Sequence, residues 1–129
     1  VVTKAALLLM GDGGEIVNIS STALMLSTDA NWGYGSTKGA VNALTRGMAI
    51  SLAPSRIRVN AVAAGPISTP MANIATTDPG YAARMYDRIP LGRPGSPQGV
   101  DELAAFLVSD RAWRTGQVVV LGGGLSVAR

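Results

Sequence analysis

At 129 residues with a formal net charge of +3, the chain is one domain at most. Hydrophobic residues make up 47% and charged residues 15%, which excludes disorder and fits a sheet buried on both faces. Cysteine and histidine are both absent, so disulfide frameworks, thiolate or zinc metal sites and Ser-His-Asp catalysis are excluded within this chain, leaving Tyr, Lys, Ser and eight carboxylates.

The basic residues are dispersed rather than clustered, so no nucleic-acid partner is expected. No apolar run approaches the ~20 residues of a membrane span, and no targeting segment is visible. A cytoplasmic location is the resulting expectation. Val1 to Met10 reads as the end of a helix with no N-cap residue before it, stopped by Gly11. Gly11-Asp12-Gly13-Gly14 has the Gly-x-Gly look of a phosphate loop, but a strand follows where a helix is required, so it reads as a turn. That strand covers residues 15–20. Residues 22–33 are polar and irregular, with Trp32 either lining a substrate mouth or anchoring the loop.

From Tyr34 to Ala53 the pattern is helical, and Pro54 ends it. Tyr34 and Lys38 are four residues apart, so they share one helix face. An ammonium beside a phenol favours phenolate, and a phenol so tuned exchanges protons near neutral pH. Gly33, Gly35 and Gly39 follow a loop, so they read as close packing at a helix start rather than as a dinucleotide fingerprint. Val41, Leu44, Met48 and Leu52 form an apolar stripe. Gly39, Ala43, Gly47 and Ser51 form a stripe of small residues that fits either the sheet or a helix of a second subunit.

Residues 57–63 are a second strand, rich in β-branched side chains. Asp78-Pro79 opens a helix with Tyr81, Met85 and Ile89 on one face, which suits core packing or a substrate pocket. Gly92 to Gly95 is a turn, and Ser96-Pro97 opens a helix through Val108 with Leu103, Ala104, Phe106 and Leu107 toward the core. Residues 117–121 are the last strand, followed by Gly122-Gly123-Gly124. Strands alternating with helices predict a three-layer α/β fold with a parallel, Rossmann-like sheet. Ser21, at the end of the first strand and thirteen residues before Tyr34, then faces the crevice where such sheets bind ligands.

Asn18-Ile19-Ser20-Ser21, Tyr34-Gly35-Ser36-Thr37-Lys38, the run from Arg56 to Met71 and Thr115-Gly116-Gln117 together resemble the short-chain dehydrogenase/reductase family, over nearly the whole chain. The likeness extends to members such as 3-oxoacyl-carrier-protein reductases and glucose dehydrogenases. It implies hydride transfer between NAD or NADP and a carbonyl or alcohol carbon of a small-molecule substrate. Tyr34 would be the general acid/base, Ser21 would orient the carbonyl, and Lys38 would hold the ribose and tune Tyr34. The segment Gly65, Pro66, Ile67 and Thr69 would run past the nicotinamide, with the Ile67 backbone and Thr69 on its carboxamide or pyrophosphate. Glycine at 65 would let the backbone approach the flat ring. Residues 71–92 would correspond to a substrate lid, and the enzyme would be a homodimer or homotetramer. No metal site is implied.

The chain departs from that pattern at Ala64, where the family usually has proline, and at Gly122, where it usually has aspartate. The loop of residues 110–115 also reads one residue short. The family's glycine-rich phosphate loop, its Asn-Asn-Ala-Gly turn and its catalytic asparagine have no counterpart here. The expected architecture is therefore the carboxyl-terminal half of a Rossmann-like domain. Two rivals to the oxidoreductase follow: a non-catalytic fragment or interaction module unable to bind cofactor alone, and a dehalogenating lyase, against which Lys38 argues because that branch carries arginine there.

Overall fold

Strand β2 (Ile57–Ala64) is the centre of the molecule, with Val59, Ala61, Val62 and Ala63 wholly buried. It lies between β1 (Gly14–Ser21) and β3 (Val118–Leu121) in a parallel sheet of order β1-β2-β3. The computed structural model describes residues 2–26, 32–70 and 79–128. Around the sheet lie α1 (Val2–Leu7), α2 (Trp32–Leu52), α3 (Pro79–Asp87) and α4 (Pro97–Val108), with short 3-10 turns at Thr22–Leu24, Ala53–Ser55 and Leu125–Val127. The parallel Rossmann-like arrangement expected from the sequence is the fold observed, each strand lying within one residue of its predicted bounds.

Register sets up everything that follows. Ser21 pairs with Ala64, and Ala64 with Leu121, so all three strands end flush. The chain leaves them at Thr22, Gly65 and Gly122 along one edge, where open α/β sheets place their ligands.

Alternation along the strands sorts side chains between two helical layers. Toward α2, Ala49 packs with Ile57 and Val59, joined by Leu7, Met10, Ile16, Met48 and Leu52. On the same face the Asn18 amide donates to Thr45 Oγ1 at 3.0 Å, and Thr45 Oγ1 donates to the Val41 carbonyl at 2.8 Å. On the other face Leu107 of α4 is 1% exposed. Ser96 caps α4, its hydroxyl accepting from Gly99 N at 3.2 Å.

Arg58 ties β2 to the connection between α4 and β3. Its guanidinium bonds the Glu15 carboxylate at 3.1 Å and donates to the carbonyls of Leu107 and Ser109 at 3.0 Å, and of Ala112. Asn60 and Val59 secure the rest: Asn60 Nδ2 donates to Arg114 O, and Val59 N donates to Thr115 Oγ1.

Several expectations are corrected. The buried face of α2 carries Gly35, Asn42, Thr45 and Ala49, whereas Leu44 is half exposed. Asn18 of β1 bonds Thr45 on this inward face, while of the apolar stripe Met48 and Leu52 pack against the core, Val41 is half-buried and Leu44 turns outward. The small stripe also faces outward: Ala43, Gly47 and Ser51 are exposed, and a Cβ on Gly39 or Gly47 would meet nothing within 4 Å. Packing on the sheet is therefore not its role. Phe106 is exposed rather than turned to the core. Trp32 opens α2 at 78% exposure, so it anchors no loop. Helix α1 ends at Leu7, loosening into a turn before Gly11. Ile89 is 2% exposed, in keeping with core packing, and Met85 is partly buried. The Asp78 cap, lid residues 71–78 and the Tyr81 side chain lie outside the described residues. No helix among the described residues is long and apolar enough to cross a membrane.

Candidate active site

Where the strands end, an open cleft of about 470 Å³ is lined by Ile19, Ser20, Ser21, Tyr34, Lys38, Ala64, Gly65, Pro66, Ile67 and Thr69. Pro97, Val100 and Asp101 of α4 complete the wall. The sequence pattern gave no signal for these last three, because sheet topology rather than spacing brings α4 there. All seven residues singled out as site candidates lie on this one cleft.

Ser21 ends β1 in an extended conformation, and its hydroxyl oxygen accepts from Ala23 N at 3.1 Å, capping the 3-10 turn. A hydroxyl oxygen that accepts a bond keeps its proton to donate. That proton has no acceptor among the described residues. The turn also brings α2 close: a Cβ on Gly35 would stand 3.2 Å from the Ala23 carbonyl oxygen. Glycine at this point lets the start of α2 approach the end of β1. The neighbouring Tyr34 is carried to the cleft that Ser21 faces, and it is half exposed there.

Lys38 lies one helical turn further along. Its ammonium is 5.7 Å from the Tyr34 ring centroid and donates to the Ile19 carbonyl at 2.8 Å. An ammonium has three protons, so this bond leaves two for a ligand.

The opposite bank is the loop leaving β2. Gly95 N donates to Pro66 O and Ser68 N donates to Gly95 O, each at 2.9 Å, so residue 67 bridges Gly95 in parallel. Successive residues of an extended chain point their backbone groups to opposite sides. With Pro66 O and Ser68 N turned to Gly95, the N–H and C=O of Ile67 point away, without a partner among the described residues. A donor and an acceptor side by side match a primary carboxamide. Gly65 has a packing reason for its missing side chain besides the one expected. A Cβ there would stand 2.8 Å from Gly122 Cα and 3.3 Å from Leu121 O. The close approach is between the ends of β2 and β3.

A phenol, a hydroxyl proton and an ammonium around one open cleft can polarise a carbonyl oxygen and protonate it. Against known proteins, the family model described as enoyl-(acyl carrier protein) reductase matches residues 1–126. The chain belongs to the short-chain dehydrogenase/reductase family. It is 43% identical over 124 residues to L-xylulose reductase of Bos taurus, covering 95% of this chain and 51% of that protein. A short-chain dehydrogenase family protein from Francisella tularensis superposes with a TM-score of 0.88 at 26% identity, over 98% of this chain and 56% of that one. The 3-ketoacyl-(acyl-carrier-protein) reductase of Brucella melitensis, solved with NADH, gives 0.78 at 34% identity, over 87% of this chain and 44% of that one. The chain thus spans about half the length of the short-chain dehydrogenase/reductase relatives it matches.

Proposed function

We propose that these residues are the catalytic half of an NAD- or NADP-dependent oxidoreductase acting on a small carbonyl or alcohol substrate. The observation that carries this is the convergence of Ser21, Tyr34 and Lys38 on a cleft faced by the backbone of residues 65–69. The nicotinamide supplies or accepts the hydride. Its carboxamide fits the outward N–H and C=O of Ile67, with Gly65, Pro66 and Thr69 forming the adjoining wall.

The remaining steps belong to this chain. In the reducing direction the Ser21 hydroxyl donates to the carbonyl oxygen, using the proton that the Ala23 contact leaves available. Tyr34 donates its phenolic proton to the same oxygen as negative charge builds there. Lys38 lends two ammonium protons to ribose hydroxyls, and its charge stabilises the phenol oxygen as the proton leaves. In the oxidising direction the phenolate takes the proton back. Homodimer or homotetramer formation through the outward stripe of α2 completes the reading.

The test is NADH or NADPH consumption by the purified protein against a panel of ketones, aldehydes and sugars. Turnover that depends on one of the two cofactors is expected when a phosphate-binding half is present. Its absence under that condition favours the second reading, a non-catalytic module. That reading draws on the lack of a glycine-rich phosphate loop among these residues.

A further inference from the structure

The two serines that close β1 differ in what their hydroxyls do. Ser21 keeps its proton for the cleft, as described above. Ser20 borders the same cleft but is only 2% exposed, and it donates its hydroxyl proton to the main-chain carbonyl of Lys38 at 3.2 Å. We infer that Ser20 is a positioning residue, setting where Lys38, and with it the Tyr34 turn of α2, stands against β1. This assignment rests on the oxidoreductase reading.

Two side-chain bonds from β1 hold the buried face of α2. Asn18 bonds Thr45, two turns down the helix, and Ser20 bonds Lys38 at the height of the cleft. Between them Asn42 adds no tie through its carbonyl oxygen, which is buried without a partner. Lys38 is therefore held at both ends: its carbonyl by Ser20, and its ammonium by the Ile19 carbonyl at 2.8 Å. Fixing both ends of a long side chain fixes its extension, and hence the place of its remaining protons. The Lys38 carbonyl, being helical, also accepts from the amide of residue 42. Removing the Ser20 hydroxyl thus leaves that acceptor satisfied, so the fold loses little while the helix gains freedom to slide. Misplacement on the scale of 1 Å is enough to slow a reaction by up to about 10²-fold.

The experiment measures steady-state kinetics in the natural polypeptide that carries these residues, comparing wild type, Ser20→Ala, Ser20→Thr and Tyr34→Phe, with melting temperatures alongside. Ser20→Ala should lower kcat about 10-fold and raise KM for the nicotinamide cofactor several-fold, within the range that misplacement produces. KM for the carbonyl and the melting temperature should stay close to wild type. Ser20→Thr, which keeps a hydroxyl, should recover most of both losses. Unchanged kinetics in Ser20→Ala, with Tyr34→Phe inactive, would overturn the positioning role alone. A raised carbonyl KM matching that of Ser21→Ala would also overturn it, by placing Ser20 on the substrate. Full activity in Tyr34→Phe would instead remove the oxidoreductase reading, and this assignment with it. If the alanine or threonine chain does not fold, Ser20→Cys, a weaker donor of similar size, should give an intermediate loss. Wild-type kinetics in that variant would count against the role.

Discussion

Tyr34 and Lys38 sit one turn apart on the same helix, yet their expected contributions separate cleanly. In the proposed reaction the phenol would bear on the chemical step, while the ammonium would bear on both the ribose and the phenol. On that reading, Tyr34→Phe in the natural polypeptide that carries these residues should lower kcat by about 10²–10⁴-fold, the usual contribution of a positioned general acid. Cofactor affinity should change little. Lys38→Ala should weaken cofactor binding and slow turnover together. Fluorescence titration with NADH or NADPH, run beside stopped-flow reduction, distinguishes the two patterns. A Tyr34→Phe enzyme that loses affinity rather than rate would reverse the assignment. Ser21 and Tyr34 were legible in the sequence because one closes a strand pattern, the other shares a helix face with Lys38, and both fall within the runs that resemble the family. The role of Gly65 was not, since Gly122 lies far away in sequence and meets it only through strand register.

Among the elements, the connection from α4 to β3 depends most on a single side chain. Arg58 gathers the Glu15 carboxylate and carbonyls along residues 107–112, all of which lose a donor at once if it is removed. Its side chain is 18% exposed and that of Glu15 is 29% exposed, so water replaces those bonds only in part. Arg58→Met should cost on the order of 2–3 kcal/mol, less than a fully buried pair would. Urea unfolding monitored by circular dichroism measures this, and a midpoint equal to wild type would show the contacts to be incidental. Helix α2 supports another expectation. Its stripe of small residues faces outward, with Leu44 and Ile50 exposed on the same helix. If two such helices meet in an oligomer, Gly47→Arg should dissociate it without unfolding the subunit. Sedimentation velocity reads the result, and an unchanged oligomer would place the interface elsewhere. Periodicity located α2 correctly but found only part of its buried face, Met48 and Leu52, and missed Asn42 and Thr45. Period alone cannot tell which of several stripes finds partners, and here Asn18 and Ser20 chose a polar one.

At the scale of the molecule, the sheet has an open edge. Within the order β1-β2-β3, β1 has a neighbour on one side only among the described residues, and its carboxyl end borders the cleft. The alternation of strands and helices made the parallel sheet legible, but no pattern within the chain signals what lies beyond β1. Among the described residues no glycine-rich turn leads from a strand into a helix N-terminus that would hold a pyrophosphate. Calorimetric titration of the 129-residue chain with NADH and NADPH should accordingly give dissociation constants weaker than about 1 mM, since the electrostatic anchor is missing. Micromolar binding would mean that the nicotinamide end suffices.

If the oxidoreductase reading holds, the flank of β1 that is unpaired among the described residues suits them to one half of a two-part switch. A cleft bordered by such a strand would stay silent until a matching strand arrived, and the signal then produced would be catalytic turnover. Expressed apart from its complement, such a half would report proximity between two fused proteins through nicotinamide fluorescence. The same flank would have to be kept from pairing with copies of itself, and charged substitutions along its outer edge would serve that end.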